Sequence, residues 1–350
     1  MRGAVRLLGT ATPGGKMNLQ DLPEVSVPLP WQAEAWARLQ EQVSRQQLPH
    51  ALLLAGPAGV GKQRLALALA RYLLCHQPVA GHNCGACRAC GFSQSGSHGD
   101  FRWLQPEGTS KVIRIEQVRE AVAFVYRTAG FGPRKVVVLS PAERLSHGAA
   151  NALLKGLEEP SADTHLILVA ERLQGMPATV RSRCQLLKLP LPGPDQCLPW
   201  LQRVTGDEAG AADLLALAGG VPLLAEQLFT EGGAGPLRER RTVLGDLARG
   251  RATVPVVAAR FAQLELTQAL RDIALFLQLY LCRQDQAALR RAQPLFHLLD
   301  RLQALQAAIA AGSNPNPQLA LESVLISLAD GFGVMRSGAN MRPFSEEIAP

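Results

Sequence analysis

Aromatic residues are scarce in this chain of 350 residues, where they make up 5% of the composition. Aliphatic side chains must therefore fill most of the interior, and the packing of leucine- and alanine-rich helices is expected to dominate. The sequence also lacks any run near the roughly 18–20 apolar residues of a membrane span. Its apolar run at residues 51–55 is followed at once by Gly56 and Pro57. We therefore expect no membrane anchor.

A secretory signal is lacking as well. The first sixteen residues contain Arg2, Arg6 and Lys16 without an acidic residue, but they have no apolar core of the kind that signal peptides carry. A loose tail is favoured over a transit peptide, and Met17 is a second candidate for the start. The expected location is the cytoplasm.

The bulk composition is that of a globular protein, with 47% apolar and 19% charged residues. The length exceeds the roughly 100–200 residues usual for one domain, which predicts two or three domains. A formal net charge of +7 favours an anionic partner such as nucleic acid. Because the positive residues are spread along the chain, the charge alone does not identify that partner.

Four of the seven cysteines lie within sixteen residues, at Cys75, Cys84, Cys87 and Cys90. Such a cluster in a chain without a secretion signal indicates a metal site in a reducing compartment rather than disulfides. Four thiolates form the tetrahedral set that zinc prefers in a closed structural site. An iron–sulfur cluster is the alternative, since the C-x2-C-x2-C spacing also suits it.

Short apolar runs alternate with helical patterns in the first half of the chain. Strands are predicted at 51–55, 136–139, 166–170 and 185–189, and helices at 31–45, 62–74 and from about 142 to Pro160, where proline ends the last one. This alternation predicts a parallel sheet covered by helices on both faces. The remainder of the chain is helical in pattern.

Residues 56–63 read Gly-Pro-Ala-Gly-Val-Gly-Lys-Gln and match the P-loop pattern G-x-x-x-x-G-K. Gly56, Gly59 and Gly61 let backbone amides turn toward phosphate oxygens, while Lys62 neutralises their charge. The predicted strand before the loop and the helix after it supply the context that the motif requires. The sequence therefore predicts a phosphate-binding loop, at which ATP binding is doubtful for the following reasons.

Two positions that should hold magnesium depart from a working ATPase. The Ser or Thr whose hydroxyl would bind the ion is replaced by Gln63. The strand at 136–139 runs into Ser140 and Pro141, where an acidic pair is expected. Glu143 is either a displaced catalytic acid or, as we favour, a solvated glutamate at the start of a helix. The sequence thus predicts a degenerate P-loop, with weak phosphate binding through Lys62 still open.

The segment 151–160 reads Asn-Ala-Leu-Leu-Lys-Gly-Leu-Glu-Glu-Pro and is followed by a strand and by Ser182-Arg183-Cys184. In this order the chain resembles the clamp-loader branch of AAA+ proteins, which serves bacterial DNA polymerase III. The resemblance implies that Arg183 is an arginine finger that reaches the ATP of the next subunit. A planar guanidinium suits this task because it can donate paired hydrogen bonds to the gamma-phosphate. A surface ion pair is the alternative role for Arg183.

Two further departures agree with a subunit that does not hydrolyse ATP. At the end of the third predicted strand, Ala170 replaces the polar residue that senses the gamma-phosphate in active members of the family. Residues 219–222 read Gly-Gly-Val-Pro, so Pro222 stands where a second sensor arginine would follow a Gly-Ser pair. The resemblance therefore implies a stator that retains its finger. The alternatives are an active AAA+ ATPase subunit and a zinc-dependent nucleic-acid-binding module that uses Arg88.

The resemblance also implies the domains and the partners. We expect a RecA-like AAA+ P-loop domain at residues 1–190 with a zinc insert at about 75–90, a small helical lid domain at 191–232 and an all-α collar domain at 233–350. Proline- and glycine-rich segments at 189–194 and 231–236 mark the two junctions. The implied partners are the ATPase and delta subunits in a hetero-pentamer, the sliding clamp and primer–template DNA.

Overall fold

The computed structural model describes residues 23–337 except 109, 160 and 311. The basic tail, Met17 and the helix terminator Pro160 lie outside the described residues. The chain divides into two compact units, Met1–Gln227 and Leu228–Pro350. The three-domain division with junctions near 190 and 232 stays a prediction.

Five parallel strands form a sheet in the first unit, in the order β2-β3-β4-β1-β5. Their bounds are β1 Ala51–Ala55, β2 Phe101–Leu104, β3 Lys135–Leu139, β4 Thr164–Ala170 and β5 Gln185–Lys188. Strand β1 pairs with β4 from Ala51 opposite Leu166 to Ala55 opposite Ala170. The predicted parallel sheet is confirmed, and β2, which the sequence pattern did not predict, forms one of its edges.

Among the described residues, nine α-helices precede, connect or follow these strands. They are α1 Ala33–Ser44, α2 Lys62–Leu74, α3 Arg88–Gln94, α4 Ile115–Val125, α5 His147–Glu158, α6 Ala178–Arg181, α7 Pro194–Thr205, α8 Glu208–Leu217 and α9 Pro222–Thr230, which crosses the unit boundary. Helix α5 begins later than the pattern predicts. Residues Ala142–Arg144 form a short 3-10 turn instead, and the Ser146 side chain caps α5 by accepting a hydrogen bond from the Ala149 amide.

Alternate residues of the central strands enter two separate cores. Leu52 and Leu54 of β1 pack in a cluster with residues of α1 and α2, whereas Leu53 packs in a cluster with residues of α4 and α5. Successive side chains of a strand point to opposite faces of the sheet, so each face is covered by its own pair of helices. This is the α/β arrangement that the alternating pattern predicts.

The second unit is helical, with α10 Ala234–Arg249, α11 Val254–Phe261, α12 Leu266–Cys282, α13 Gln286–Arg291, α14 Gln293–Ala310 and α15 Pro317–Ser337. By length and composition, α15 is apolar enough over Pro317–Arg336 to cross a membrane. Its residues Leu321, Leu325, Leu328 and Phe332 lie in the core of the helical unit. Their three- and four-residue spacing is that of one buried face of a helix in a folded core.

Candidate functional site

The P-loop connects strand β1 to helix α2 at the interior of the sheet, where β1 lies between β4 and β5. Gly59 and Gly61 adopt φ angles of 74° and 87°, a left-handed conformation that costs glycine little. At Gly56, a Cβ atom would lie 2.0 Å from the Leu189 carbonyl oxygen. The glycines at these positions are therefore required by the local backbone and by its close packing.

Neighbouring segments of the first unit hold the loop through its carbonyl groups. The Val60 oxygen accepts hydrogen bonds from Trp31 Nε1 and Gln32 Nε2, each at 3.0 Å. The Gly59 oxygen accepts a hydrogen bond of 3.2 Å from the Leu223 amide. The Gly56 amide in turn donates a hydrogen bond of 3.3 Å to the Ala170 carbonyl oxygen at the end of β4. These contacts hold the loop against the sheet and against the segments that flank it.

Lys62 is directed onto its own loop. It is 5% exposed, and its Nζ donates a hydrogen bond of 2.6 Å to the Pro57 carbonyl oxygen. Burial lowers the pKa of Lys62, while the nearby carboxylates of Glu171 and Glu143 act in the opposite direction. In this structure the lysine therefore satisfies a loop carbonyl at the position from which it would otherwise reach a phosphate.

The side chains at the two positions predicted to have lost magnesium ligands contact each other. Gln63 Nε2 donates a hydrogen bond of 2.9 Å to Ser140 Oγ, at the end of β3. Mg²⁺ is usually bound in nucleotide sites through carboxylate oxygens and substrate phosphates. Here a neutral amide and a neutral hydroxyl occupy the two expected positions, and the amide group presents a donor toward the hydroxyl. The pair offers no negative charge to a metal ion.

Glu143, the candidate displaced acid, is not a solvated residue. Its Oε1 accepts a hydrogen bond of 3.0 Å from the Glu171 amide just after β4, and its Oε2 is buried with no hydrogen-bond partner among the described residues. Burial raises the pKa of Glu143, and the Lys62 ammonium group opposes this rise. The Glu143 carboxyl group thus connects the segments that follow β3 and β4. The prediction of a solvated glutamate at the start of a helix was wrong, because this carboxyl group is buried against the sheet.

Arg183 lies between helix α6 and strand β5 and forms an ion pair on the surface. Its Nε and Nη2 lie 2.7 Å and 2.5 Å from Glu158 Oε1, and its Nη1 donates to the Thr179 carbonyl oxygen at 3.0 Å. The side chains of Arg183 and Glu158 are 36% and 49% exposed. The guanidinium is therefore accessible at the surface, and the alternative role as one member of an ion pair has a partner in Glu158.

The four clustered cysteines come together and could hold a metal ion. Their four sulfur atoms all lie within 4.8 Å of one another. Three of the separations are 3.6 Å for Cys75–Cys90 and 3.9 Å for both Cys75–Cys87 and Cys84–Cys90. A tetrahedral ion with metal–sulfur bonds of about 2.3 Å requires sulfur separations of about 3.8 Å. The donor set therefore fits a single tetrahedral ion.

Backbone amides support the sulfur atoms. The Cys84 amide donates to Cys75 Sγ and the Cys87 amide donates to Cys84 Sγ, each at 3.3 Å. Such contacts orient ligands and stabilise thiolate charge. In a four-iron cluster each thiolate binds a separate iron atom, which sets the sulfurs farther apart than a single ion does. The geometry thus favours one ion over the iron–sulfur alternative.

Two buried polar side chains near the cysteine cluster were not indicated by sequence patterns. Arg71 and Asn83 are each 1% exposed. Asn83 Nδ2 lies 3.6 Å from Cys90 Sγ. Burial lowers the pKa of Arg71, and Cys90 and Cys75 act in the opposite direction. The predicted helix at 62–74 places Arg71 about one turn before Cys75. This spacing was the one feature of the sequence that could have indicated a positive charge near the cluster.

A buried ion pair was also missed. Arg64 of α2 lies 2.6 Å from Glu226 of α9, and the two side chains are 15% and 4% exposed. Burial raises the pKa of Glu226, and the Arg64 guanidinium opposes the rise without cancelling it. The pair joins the P-loop helix to a segment 162 residues later, so no local pattern in the sequence could have indicated it.

Comparisons with known proteins match the N-terminal part of the chain. A family model described as DNA polymerase III, delta subunit, matches residues 31–192. DNA polymerase III subunit delta' of Pseudomonas aeruginosa is 47% identical over 214 residues, which cover 61% of this chain and 63% of that protein. The Escherichia coli protein of the same name is 38% identical over 201 residues, covering 57% and 60%. The match therefore spans about three fifths of each relative.

Among solved structures, a DNA polymerase III gamma subunit-related protein of Thermotoga maritima is similar, with a TM-score of 0.48 and 18% identity over 84% of this chain and 99% of that one. The family match at 31–192 contains the P-loop, all four clustered cysteines and Arg183. Over this N-terminal part, the chain is therefore similar to DNA polymerase III delta-prime subunits.

Proposed function

We propose that the chain is a non-hydrolysing clamp-loader subunit, a stator, that supplies Arg183 as an arginine finger to the ATP site of a neighbouring subunit. The observation that carries the proposal is the hydrogen bond between Gln63 and Ser140. It joins the two positions at which a P-loop ATPase binds magnesium, and neither side chain can provide a negatively charged ligand. Hydrolysis at the chain's own P-loop would lack its metal.

The P-loop backbone has a shape suited to phosphate contacts, since Gly59 and Gly61 adopt left-handed conformations. Weak binding of phosphate by loop amides and Lys62 is compatible with this geometry. Productive turnover is not, because magnesium must neutralise charge on the beta- and gamma-phosphates as the bond breaks. The P-loop therefore serves as a structural element of the stator.

Arg183 can act in trans because it lies at the surface. Its partner Glu158 is exposed, and an exposed ion pair is worth only about 0–1 kcal/mol. Contact with a gamma-phosphate in a neighbour's site would replace this pair. An arginine finger contributes roughly 10³–10⁵ in rate, or about 4–7 kcal/mol, by stabilising charge in the transition state. That gain is well above the cost of leaving Glu158.

The similarity to DNA polymerase III subunits supports a role for the chain in a clamp loader. Proteins named DNA polymerase III subunit delta' match the chain, and so does a DNA polymerase III subunit gamma of Buchnera aphidicola, at 32% identity over 158 residues. We infer a cytoplasmic hetero-pentamer with ATPase and delta subunits that places the sliding clamp on primer–template DNA. Zinc is the ion that best suits four thiolates in a closed site, where it has a structural role.

Steady-state ATP turnover of the reconstituted loader tests this proposal. Arg183→Ala should lower the rate at least about tenfold, equivalent to about 1.4 kcal/mol. Arg181→Ala is the matched control, because Arg181 is an exposed arginine two residues away, and it should leave the rate unchanged. The isolated chain should show no turnover above that of a Lys62→Ala variant. Turnover by the isolated chain that Lys62→Ala abolishes would instead identify an active ATPase.

One observation favours a second candidate function, contact with nucleic acid through the cysteine-containing insert. The exposed Arg88 guanidinium lies 4.9 Å from the ring centroid of Phe131 and 5.5 Å from that of Phe92. A cation beside aromatic rings suits a phosphate backbone and its bases. Arg88→Ala should then weaken binding of single-stranded DNA and reduce the salt dependence by about one charge. Unchanged binding relative to an Arg45→Ala control would exclude this contact.

A further inference from the structure

Residues 23–32, here called the strap, run from the cysteine cluster to the P-loop. The strap passes from coil into a 3-10 turn at Pro30–Gln32, just before helix α1. Its first residues contact side chains that surround the cluster, and its last residues contact the loop. The cysteine cluster and the P-loop are therefore joined by one short segment of chain.

The metal end of the strap is held by two buried side chains. Arg71 donates hydrogen bonds to the carbonyl oxygens of Pro23 and Glu24 and to Ser26 Oγ. Asn83 accepts a hydrogen bond of 2.9 Å from the Ser26 amide and donates one of 2.8 Å to the Glu24 carbonyl oxygen. Asn83 also contacts Cys90 Sγ. A single amide side chain thus bonds both the strap backbone and a cluster sulfur.

The charge of Arg71 points to the same connection. Its three strap acceptors are two carbonyl groups and a hydroxyl, none of which carries a negative charge. A buried guanidinium is costly without a counter-charge. Cys75 follows Arg71 by four residues, directly after helix α2, and a bound metal keeps its cysteine ligands as thiolates. The negative charge of four metal-bound thiolates would therefore favour the buried guanidinium that holds the strap.

The loop end of the strap is packed as closely. Trp31 and Gln32 donate to the Val60 carbonyl oxygen, and the Leu29 side chain covers Gly61, where a Cβ atom would come within 2.3 Å of Leu29 Cδ1. Val60 itself is fully buried. These contacts restrain the two loop residues that immediately precede Lys62.

We propose that the metal-bound cysteine cluster restrains the P-loop through the strap. In this clamp, metal binding makes local opening of the P-loop less frequent. Metal binding closes the turn that carries Asn83, which positions the strap backbone, and the strap in turn holds Val60 and Gly61. Metal ligation is coupled to local folding in this way because the four ligands are brought together only in the folded segment. The clamp rests on the proposed metal and is independent of the arginine finger.

Hydrogen–deuterium exchange of the full-length chain tests the clamp. The metal-loaded protein and protein stripped by a chelator under reducing conditions are compared, with metal content measured by mass spectrometry. Removal of the metal should speed exchange in residues 56–63 by about tenfold or more, since their local opening becomes easier. Strand β3, residues 135–139, is the internal reference. Unchanged exchange in 56–63 alongside faster exchange in 75–90 would overturn the clamp.

Asn83→Ala isolates the connection, because it keeps all four cysteines. With its metal bound, this variant should exchange residues 56–63 as fast as the stripped wild type. Gln40→Ala is the matched control, since it removes a different hydrogen bond to the same insert. Gln40 Nε2 donates to the Gly81 carbonyl oxygen at 2.8 Å, and Gly81 is not part of the strap. Protection of the loop in metal-bound Asn83→Ala, equal to that of wild type, would contradict the proposal.

If Asn83→Ala fails to retain the metal, Trp31→Phe decides the question from the other end of the strap. This change removes the indole donor to Val60 and leaves the cluster untouched. The metal should then protect residues 56–63 less than it does in the wild type. A full metal response in Trp31→Phe, together with metal loss in Asn83→Ala, would leave no support for transmission through the strap.

Discussion

Glu158 holds Arg183 through two guanidinium nitrogens, at 2.7 Å from Nε and 2.5 Å from Nη2. Both residues belong to the motifs that carry the family resemblance, Glu158 at the end of helix α5 and Arg183 in the Ser-Arg-Cys triplet. In the free chain, then, the proposed finger is bound to a carboxylate of its own subunit. Any contact with a phosphate in trans must compete with that carboxylate.

Glu158→Gln should therefore raise, not lower, ATP turnover of the reconstituted loader. An exposed pair is worth about 0.2–1 kcal/mol, so its loss should increase the rate by up to about fivefold. Glu159→Gln is the control, because Glu159 is an exposed neighbour. A rate that falls with Glu158→Gln and not with Glu159→Gln would show that the carboxylate orients the finger instead of competing for it.

Restoring the two magnesium positions should restore metal-dependent nucleotide binding. The Gln63→Thr, Ser140→Asp double variant replaces the amide–hydroxyl hydrogen bond with a hydroxyl and a carboxylate, the ligands that P-loop ATPases use. We expect Mg²⁺ to increase ATP affinity at least about tenfold in the double variant, or about 1.4 kcal/mol, and to have no effect in the wild type. Titration calorimetry with and without Mg²⁺ measures both, and a magnesium effect in the wild type would contradict the degenerate assignment.

Sequence patterns were sufficient to predict the elements that are determined by residues close together in the chain. Strand β1 and helix α2 were predictable because an unbroken apolar run meets a glycine loop and an alanine-rich helix. The cysteine cluster was predictable because its spacing is itself the chemistry. Strand β2 was not, since Phe101–Leu104 has only four residues and includes a charged one. Its strand character arises from pairing with β3.

The residues that support the site escaped prediction because their partners are distant in sequence. Arg71 has the appearance of a surface residue on a helix, yet its acceptors lie 45 to 48 residues away in the strap. Glu143 was interpreted as solvated because nothing nearby in the sequence indicates that the Glu171 amide bonds it. Burial of a polar side chain depends on tertiary partners, which spacing along the chain does not encode.

Loss of one metal ligand should destabilise the chain. Cys87→Ser should abolish metal binding and lower the melting temperature by about 4–8 °C, as expected for a loss of roughly 2 kcal/mol in a domain of this size. Cys282→Ser is the matched control, because Cys282 is an isolated exposed thiol, and it should change neither quantity. Differential scanning calorimetry and metal analysis test this. Equal melting temperatures for the two variants would exclude a structural metal.

The buried pair of Arg64 and Glu226 should impose a pH dependence that Glu226→Gln removes. Burial raises the pKa of Glu226 above its ordinary value of 4.5, so the folded chain binds this proton more tightly than the unfolded chain does. The carboxyl group's contribution to the free energy of unfolding is then fully present below pH 4.5 and declines as the pH rises through its folded pKa. Urea unfolding at several pH values should show the difference between wild type and Glu226→Gln shrinking as the pH increases. Glu226→Ala, which leaves Arg64 buried without its partner, should cost about 3–5 kcal/mol. A difference that instead grows with pH would mean that attraction to Arg64 outweighs the cost of burying the carboxylate.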